Sequence, residues 1–156
     1  MRPTPLTGMA GKGLPVTRMR NWCCYPAFHF GNGAIVFDLL YVEDNPVNVL
    51  LLESILSSRG DIMMDVAADG RTALIAVAKR RPDLIVLDFR LPDTDGIALC
   101  RQLRSLANVA TVPVVLFTAG QLDVKEGFVD VWTKPVDAHE VIASLARLLP
   151  LNDCNG

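Results

Sequence analysis

The residues able to do chemistry sit where apolar runs stop. Residues 34–42 form one such run, and Glu43-Asp44 follow it. Residues 84–87 form another, ending at Asp88. Residues 112–117 end at Thr118, and residues 129–132 lead into Thr133-Lys134. Singly, each group has an ordinary explanation, since acids and threonines cap helices and lysines are mostly solvated. Similar placement at four run ends asks for a common one. Asp88 is the sharpest case. The next helix starts near Gly96, where Asp95 or Thr94 can cap. Asp88 stands too early for that, so its carboxylate needs another partner.

Charge suggests which. Glu43, Asp44 and Asp88 bring three negative charges and Lys134 one positive. Each close carboxylate pair costs about 4 kcal/mol at 4 Å in an effective dielectric near 20. A divalent cation offsets the surplus. Oxygen ligands without His or Cys select Mg²⁺ or Mn²⁺ over Zn²⁺. Magnesium keeps some waters and favours a phosphoryl oxygen as a further ligand. A cation, a lysine and a hydroxyl around one carboxylate make a site for phosphoryl transfer onto that carboxylate, a known covalent nucleophile. The metal and Lys134 then stabilise charge on the equatorial oxygens.

The elements that must bring these groups together alternate in type. Asn45-Pro46 gives a cap and a proline in the first turn. Val47, Leu50, Leu51, Ile55 and Leu56 follow at helical spacing, closed by Arg59-Gly60. Residues 62–67 are a second apolar run. Asp69-Gly70 turns into a helix over 72–79, with Ala73, Leu74 and Val77 on one face. Residues 96–106 are helical, with Ile97, Leu99, Cys100, Leu103 and Leu106 apolar. Asp137 and Glu140 form a capping box for a last helix whose apolar face is Val141, Ile142, Leu145, Leu148 and Leu149. This alternation predicts a parallel sheet covered on both faces, its strands ending on one edge, where such folds bind ligands. The run at 62–67 offers no comparable group at its end, as suits an edge strand. Between the fourth and fifth strands lie only residues 119–128. A parallel crossover needs about 10–12 residues. A helix there is expected to be one turn around 122–126, or absent.

Composition narrows the class. Of 156 residues, 51% are hydrophobic and 21% charged, which excludes wholesale disorder. Residues 1–37 carry Arg2, Lys12, Arg18 and Arg20 and no acid, so the remainder is mildly acidic and the net charge is −2. That balance gives no general pull toward nucleic acid or an anionic membrane. No apolar run reaches about 18 residues, so no membrane span is expected. Residues 1–33 are rich in Gly and Pro and read as an irregular basic extension; 34–150 form the domain and 151–156 a short tail. The extension matches neither a secretory signal nor a transit peptide, and GKGLPVTR (11–18) is neither G-x-G-x-x-G nor a phosphate-binding P-loop. Cys23, Cys24, Cys100 and Cys154 form no C-x-x-C pair and read as reduced thiols of a cytoplasmic protein.

Four segments together, LLYVEDNPVN (39–48), RPDLIVLDFRLPDTDG (81–96), VPVVLFTAG (112–120) and VWTKPVD (131–137), resemble the receiver domain of the two-component response-regulator family. The resemblance runs from about residue 39 to 149. It implies a flavodoxin-like, doubly wound five-stranded parallel sheet of order 2-1-3-4-5. It also implies a phosphoacceptor, Asp88, with Mg²⁺ held by Asp44, Asp88 and the Arg90 backbone carbonyl, and by Glu43 directly or through water. Lys134 would pair with the phosphoryl group, ahead of a cis Lys134-Pro135 bond. Thr118 would move to bond the phosphoryl group and carry the switch. The implied partner is a histidine kinase or histidine phosphotransfer protein, with no nucleic acid or membrane, and the chain would be a monomer or weak homodimer. The only catalysis implied is of its own phosphorylation and dephosphorylation.

Two features depart from the family pattern. Val131 stands where the family has its switch aromatic, while Trp132 belongs to the opposite face of the strand. The crossover after Thr118 is also short. The chain ends soon after its last helix, so no DNA-binding or catalytic output domain is expected to follow. It reads as a stand-alone regulator or the terminal receiver of a hybrid kinase, toward which LLYVEDNPVN and WTKPVD lean. Two other readings compete: a phosphorylation-independent adaptor of the same fold, and a hydrolase with an Asp nucleophile. The hydrolase usually wants an acid two residues after the nucleophile, where this chain has Arg90.

Overall fold

The runs of Leu, Ile and Val that ended in chemistry form the strands of one parallel sheet. The computed structural model describes residues 36–120 and 127–149. Its elements are β1 (Phe37–Val42), α1 (Pro46–Leu56), β2 (Ile62–Ala67), α2 (Gly70–Lys79), β3 (Leu84–Asp88), α3 (Gly96–Ser105), β4 (Val114–Thr118), β5 (Asp130–Thr133) and α4 (Ala138–Leu148). The strand order is β2-β1-β3-β4-β5, every pair parallel, so the expected order 2-1-3-4-5 holds and β2 is an edge. β3 and β4 are buried along their whole length, as strands covered on both faces must be.

The alternation of strand side chains divides the core in two. Leu40, Val42, Ile85 and Leu87 face Ala73, Val77, Leu99 and Leu103 from α2 and α3. Leu39, Tyr41, Val86, Phe117 and Trp132 face Val49, Leu52, Val141 and Leu145 from α1 and α4. Each of the four helices among the described residues starts at a side-chain cap. Asn45 accepts from the Val47 amide at 3.0 Å and Asp69 from Thr72 at 2.6 Å. Asp95, not Thr94, caps α3 through the Ala98 amide at 2.8 Å. Asp137 caps α4 through the His139 and Glu140 amides. No helix among the described residues is long and apolar enough to cross a membrane. Cys100 is a free, buried thiol, and burial pushes its pKa up; the other three cysteines lie outside the described residues.

One helical face is corrected. The sequence spacing marked Val47, Leu50, Leu51, Ile55 and Leu56 on α1. The structure buries Val49, Leu52 and Leu56, and leaves Val47 68%, Leu50 64% and Leu51 46% exposed. The segment PVNVLLLESIL is apolar around most of its circumference, so periodicity alone does not fix its rotation. That rotation gives a stability prediction. Leu52→Ala is expected to cost about 2–5 kcal/mol, the range for a fully buried leucine. Leu50→Ala is expected to stay within about 0.5 kcal/mol of wild type. Urea unfolding midpoints of the two variants check the assignment, and a reversed ranking would contradict it.

Between β4 and β5 no helix occurs among the described residues; 121–126, which hold the whole of the expected single turn, lie outside them. The chain returning to β5 is tied down from α3. The Arg104 guanidinium donates to the carbonyls of Ala110 (2.9 Å), Val112 (2.6 Å) and Gly127 (2.7 Å). Gly127 has φ +87°, a conformation that glycine adopts without a Cβ penalty, and a Cβ there would meet Cys100 Sγ at 3.2 Å. Its neighbour Phe128 packs on the core against α2 and α3. β5 is held to α4 by Asp130, which accepts from Ser144 and from Arg147.

Candidate functional site

β1 and β3 are central neighbours, with Val42 opposite Leu87 in the register. The next residue on each strand is an acid, so Glu43 and Asp88 stand side by side at the carboxyl edge. Both are buried, at 2% and 7% exposure, while Asp44 is exposed. Glu43, Asp44 and Asp88 each place a carboxylate oxygen within 4.8 Å of the others. An all-oxygen donor set of this charge suits a hard divalent cation.

Lys134 arrives from the end of β5. Its amide donates to the Thr118 carbonyl at 2.8 Å, fixing the two strand ends together. Its Nζ lies 2.8 Å from Asp88 Oδ1 and 3.1 Å from Glu43 Oε2. It also sits 5.0 Å from the centre of the Phe117 ring, within reach of a cation–π attraction. Burial alone would lower the Lys134 pKa, but its bonds to Asp88 and Glu43 and their charge outweigh that, so the net shift is upward. Lys134 is therefore a fixed cation in the pocket. The Lys134–Pro135 bond is cis, as the resemblance implied.

Thr118, 2% exposed, ends β4 one residue beyond Phe117, the register partner of Asp88. Its hydroxyl accepts from the Gly120 amide at 3.3 Å. Arg90 donates its backbone N–H to Asp88 Oδ2 at 3.3 Å, while its side chain is exposed. Thus Glu43, Asp44, Asp88 and Lys134 converge on one pocket, and Thr118 and the Arg90 backbone border it. Val131 pairs with Leu116, while Trp132 pairs with Phe117 and packs edge-on to it at 6.2 Å. Trp132 is thus committed to the α1–α4 core, and the alternation of β5 puts Val131 on the other face.

Three contributors escaped the sequence reading. Tyr41 donates its hydroxyl to Glu43 Oε2 at 2.9 Å, and Asn48 donates its amide to the same oxygen at 3.0 Å. Burial first, then the Glu43 charge, drive the Tyr41 pKa far upward, so the phenol stays a donor. Asp93 accepts from the Gly70 and Arg71 amides, both at 2.9 Å, and pins the loop after Asp88 to the start of α2. Gly96 lets the same loop fold back on β3, since a Cβ there would sit 2.7 Å from the Asp88 carbonyl. A signal existed for Tyr41: two residues before Glu43 on a strand, it shares its side of the sheet.

The comparisons with known proteins agree with one another. The response regulator receiver domain, as a family model, matches residues 39–146. Response regulator PleD of Caulobacter vibrioides is 39% identical over 116 residues, which are 70% of this chain and 25% of that protein. The DNA-binding dual master transcriptional regulator RpaA of Synechocystis is 34% identical over 122 residues, 74% of this chain and 50% of that protein. The chain thus spans only a quarter to a half of these relatives. Among solved structures, the receiver domain of sensor histidine kinase PA1611 from Pseudomonas aeruginosa PAO1 is 34% identical with a TM-score of 0.67, covering 72% of this chain and 97% of that one. That crystal has magnesium coordinated in its active-site cleft. The receiver domain of a signal transduction histidine kinase from Syntrophus aciditrophicus is 32% identical, with TM-score 0.67, covering 73% and 90%. The family match runs from β1 into α4 and takes in every segment that carried the resemblance, and this chain belongs to the response regulator receiver domain family.

Proposed function

We propose that this receiver domain, placed at residues 34–150, accepts a phosphoryl group on Asp88 from a histidine kinase or histidine phosphotransfer protein, in the cytoplasm. The observation that carries the reading is the setting of Asp88: a buried carboxylate bonded to Lys134 and clustered with two further acids. An Asp88 oxygen attacks the phosphorus of a phosphohistidine. The new P–O bond forms as the P–N bond breaks, and the electron pair leaves on the imidazole nitrogen, which takes up a proton. Lys134 moves from the carboxylate to the phosphoryl oxygens and balances their charge. The Thr118 hydroxyl turns from Gly120 to donate to the same group, and this movement is the switch. Val131 supplies no aromatic ring to follow it, so the signal leaves through the β4–β5 side by backbone and Thr118 alone. Water attack on phosphorus later breaks the P–O bond to Asp88, releasing inorganic phosphate and returning the carboxylate.

The donor chemistry of the cluster fits Mg²⁺. Asp44, Asp88 and the Arg90 carbonyl would hold it, with Glu43 acting directly or through water. When bound, it offsets the charge of the carboxylates and of the phosphoryl group. The presence of Val131 instead of an aromatic residue favours a second reading, a binding adaptor that needs no phosphate.

One experiment separates these readings. The protein is incubated with a small acyl phosphate and Mg²⁺ and its intact mass is followed. A gain of one phosphoryl group, suppressed by chelation, is expected. No gain from this donor or from a phosphorylated histidine phosphotransfer protein would favour the adaptor. Steady phosphate release from unrelated monoesters would favour a hydrolase.

A further inference from the structure

Glu43 is held more firmly than a simple charge pair requires. Its Oε2 accepts three hydrogen bonds: from the Tyr41 hydroxyl at 2.9 Å, the Asn48 amide at 3.0 Å and Lys134 Nζ at 3.1 Å. Its Oε1 accepts one, from the Asn45 backbone amide at 3.1 Å. Tyr41 and Asn48 are neutral and come from different elements, the strand before Glu43 and the first turn of α1. Tyr41 has no freedom to leave. It is fully buried, and its ring packs 6.0 Å from Phe117, which in turn packs on Trp132.

Lys134, by contrast, serves two carboxylates and must release them to meet a phosphoryl group. A Glu43 held by Lys134 alone would lose its orientation at that moment. We propose that Tyr41, assisted by Asn48, is a positioning residue that fixes the Glu43 carboxylate for magnesium throughout the phosphorylation cycle. The inference rests on the reading of Glu43 as part of the metal site. Two effects of losing the Tyr41 hydroxyl oppose each other. A donor withdrawn from Glu43 leaves more negative charge for the cation, which tightens binding. A carboxylate free to rotate weakens it. Removing a partner that orients a metal ligand typically costs about 10–100-fold in affinity, so orientation dominates.

The test is calorimetric titration of the full chain with MgCl₂, beside thermal melts without metal. Tyr41→Phe removes one oxygen and keeps the ring. It is expected to weaken Mg²⁺ binding about tenfold or more. Leu56→Ala, a cavity in the same core at the far end of α1, about two turns beyond Asn48, is expected to lower the melting temperature and leave Mg²⁺ affinity unchanged. That contrast separates positioning from general loosening. Asn48→Ala removes the second neutral donor from a half-buried position and carries the test if Tyr41→Phe does not fold; it too is expected to weaken binding. Wild-type affinity, or tighter binding, in the folded variants overturns the inference. Absence of Mg²⁺ binding by the wild type overturns instead the metal-site reading beneath it.

Discussion

Asp88→Asn is expected to abolish phosphoryl uptake while leaving the fold at least as stable as wild type. The two halves of this result have different physical origins. Asparagine matches aspartate in shape but offers a neutral amide oxygen, which cannot form the acyl phosphate. The loss is therefore total: no mass gain with any donor. Stability runs the other way. Losing Asp88 takes one of two anionic partners from Lys134, but Glu43 remains 3.1 Å from its Nζ. Against the one lost attraction stands relief of two repulsions, those of Asp88 with Glu43 and with Asp44, whose oxygens lie within 4.8 Å. At about 4 kcal/mol for each close pair in an effective dielectric near 20, relief is the larger effect. Without metal the variant should melt no lower than wild type. With Mg²⁺ it should gain less, because one ligand is gone. Intact-mass spectra and melts with and without Mg²⁺ check both halves. A marked loss of stability would mean that Asp88 serves the fold, and would count against the repulsion argued among the three carboxylates.

The strand-end chemistry was legible because two independent patterns coincided. Apolar runs ending in Asp88, Thr118 and Lys134 fixed the strands, and the parallel topology then carried their ends to one edge. Asp88 was also marked by what it does not do, since Asp95 caps α3. The rotation of α1 was not legible, because Val47, Leu50 and Leu51 are as apolar as the residues that α1 buries, and only contact with β1 and α4 decides among them. The grip of Asn48 on Glu43 depends on that same rotation. Asp93 reaches the start of α2 across 23 residues, a closeness that no local spacing announces. Arg104 of α3 likewise reaches carbonyls on both sides of β4, Ala110 and Val112 before it and Gly127 after it, which the helical spacing of α3 does not announce. Local patterns name the groups that need partners, and tertiary closure names the partners.

Replacing Lys134 reverses the sign of the stability effect. Lys134→Met keeps a side chain of similar length but loses the charge facing Asp88, Glu43 and the Phe117 ring. Two buried carboxylates and exposed Asp44 then face one another without a cation. Removing one partner of a buried pair costs about 3–5 kcal/mol. The Lys134 side chain keeps 22% of its exposure, so the lower end, about 3 kcal/mol, is expected without metal. Mg²⁺ should recover most of this. A ligand at a hundred times its dissociation constant stabilises by about 2.7 kcal/mol, and the variant pocket, more negative by one charge, should bind the cation more tightly than wild type. Phosphoryl uptake should nevertheless fall by about 10²–10³-fold, the usual result of deleting one donor to a developing oxyanion. Binding and catalysis thus part ways. The double variant Asp88→Asn, Lys134→Met completes the cycle: with one carboxylate and the lysine both removed, stability without metal should return toward wild type by more than the sum of the two single effects predicts. Urea unfolding of the four proteins with and without Mg²⁺ measures that coupling. Additive single and double effects would show that Lys134 and Asp88 do not share a pocket energetically, whatever their distance.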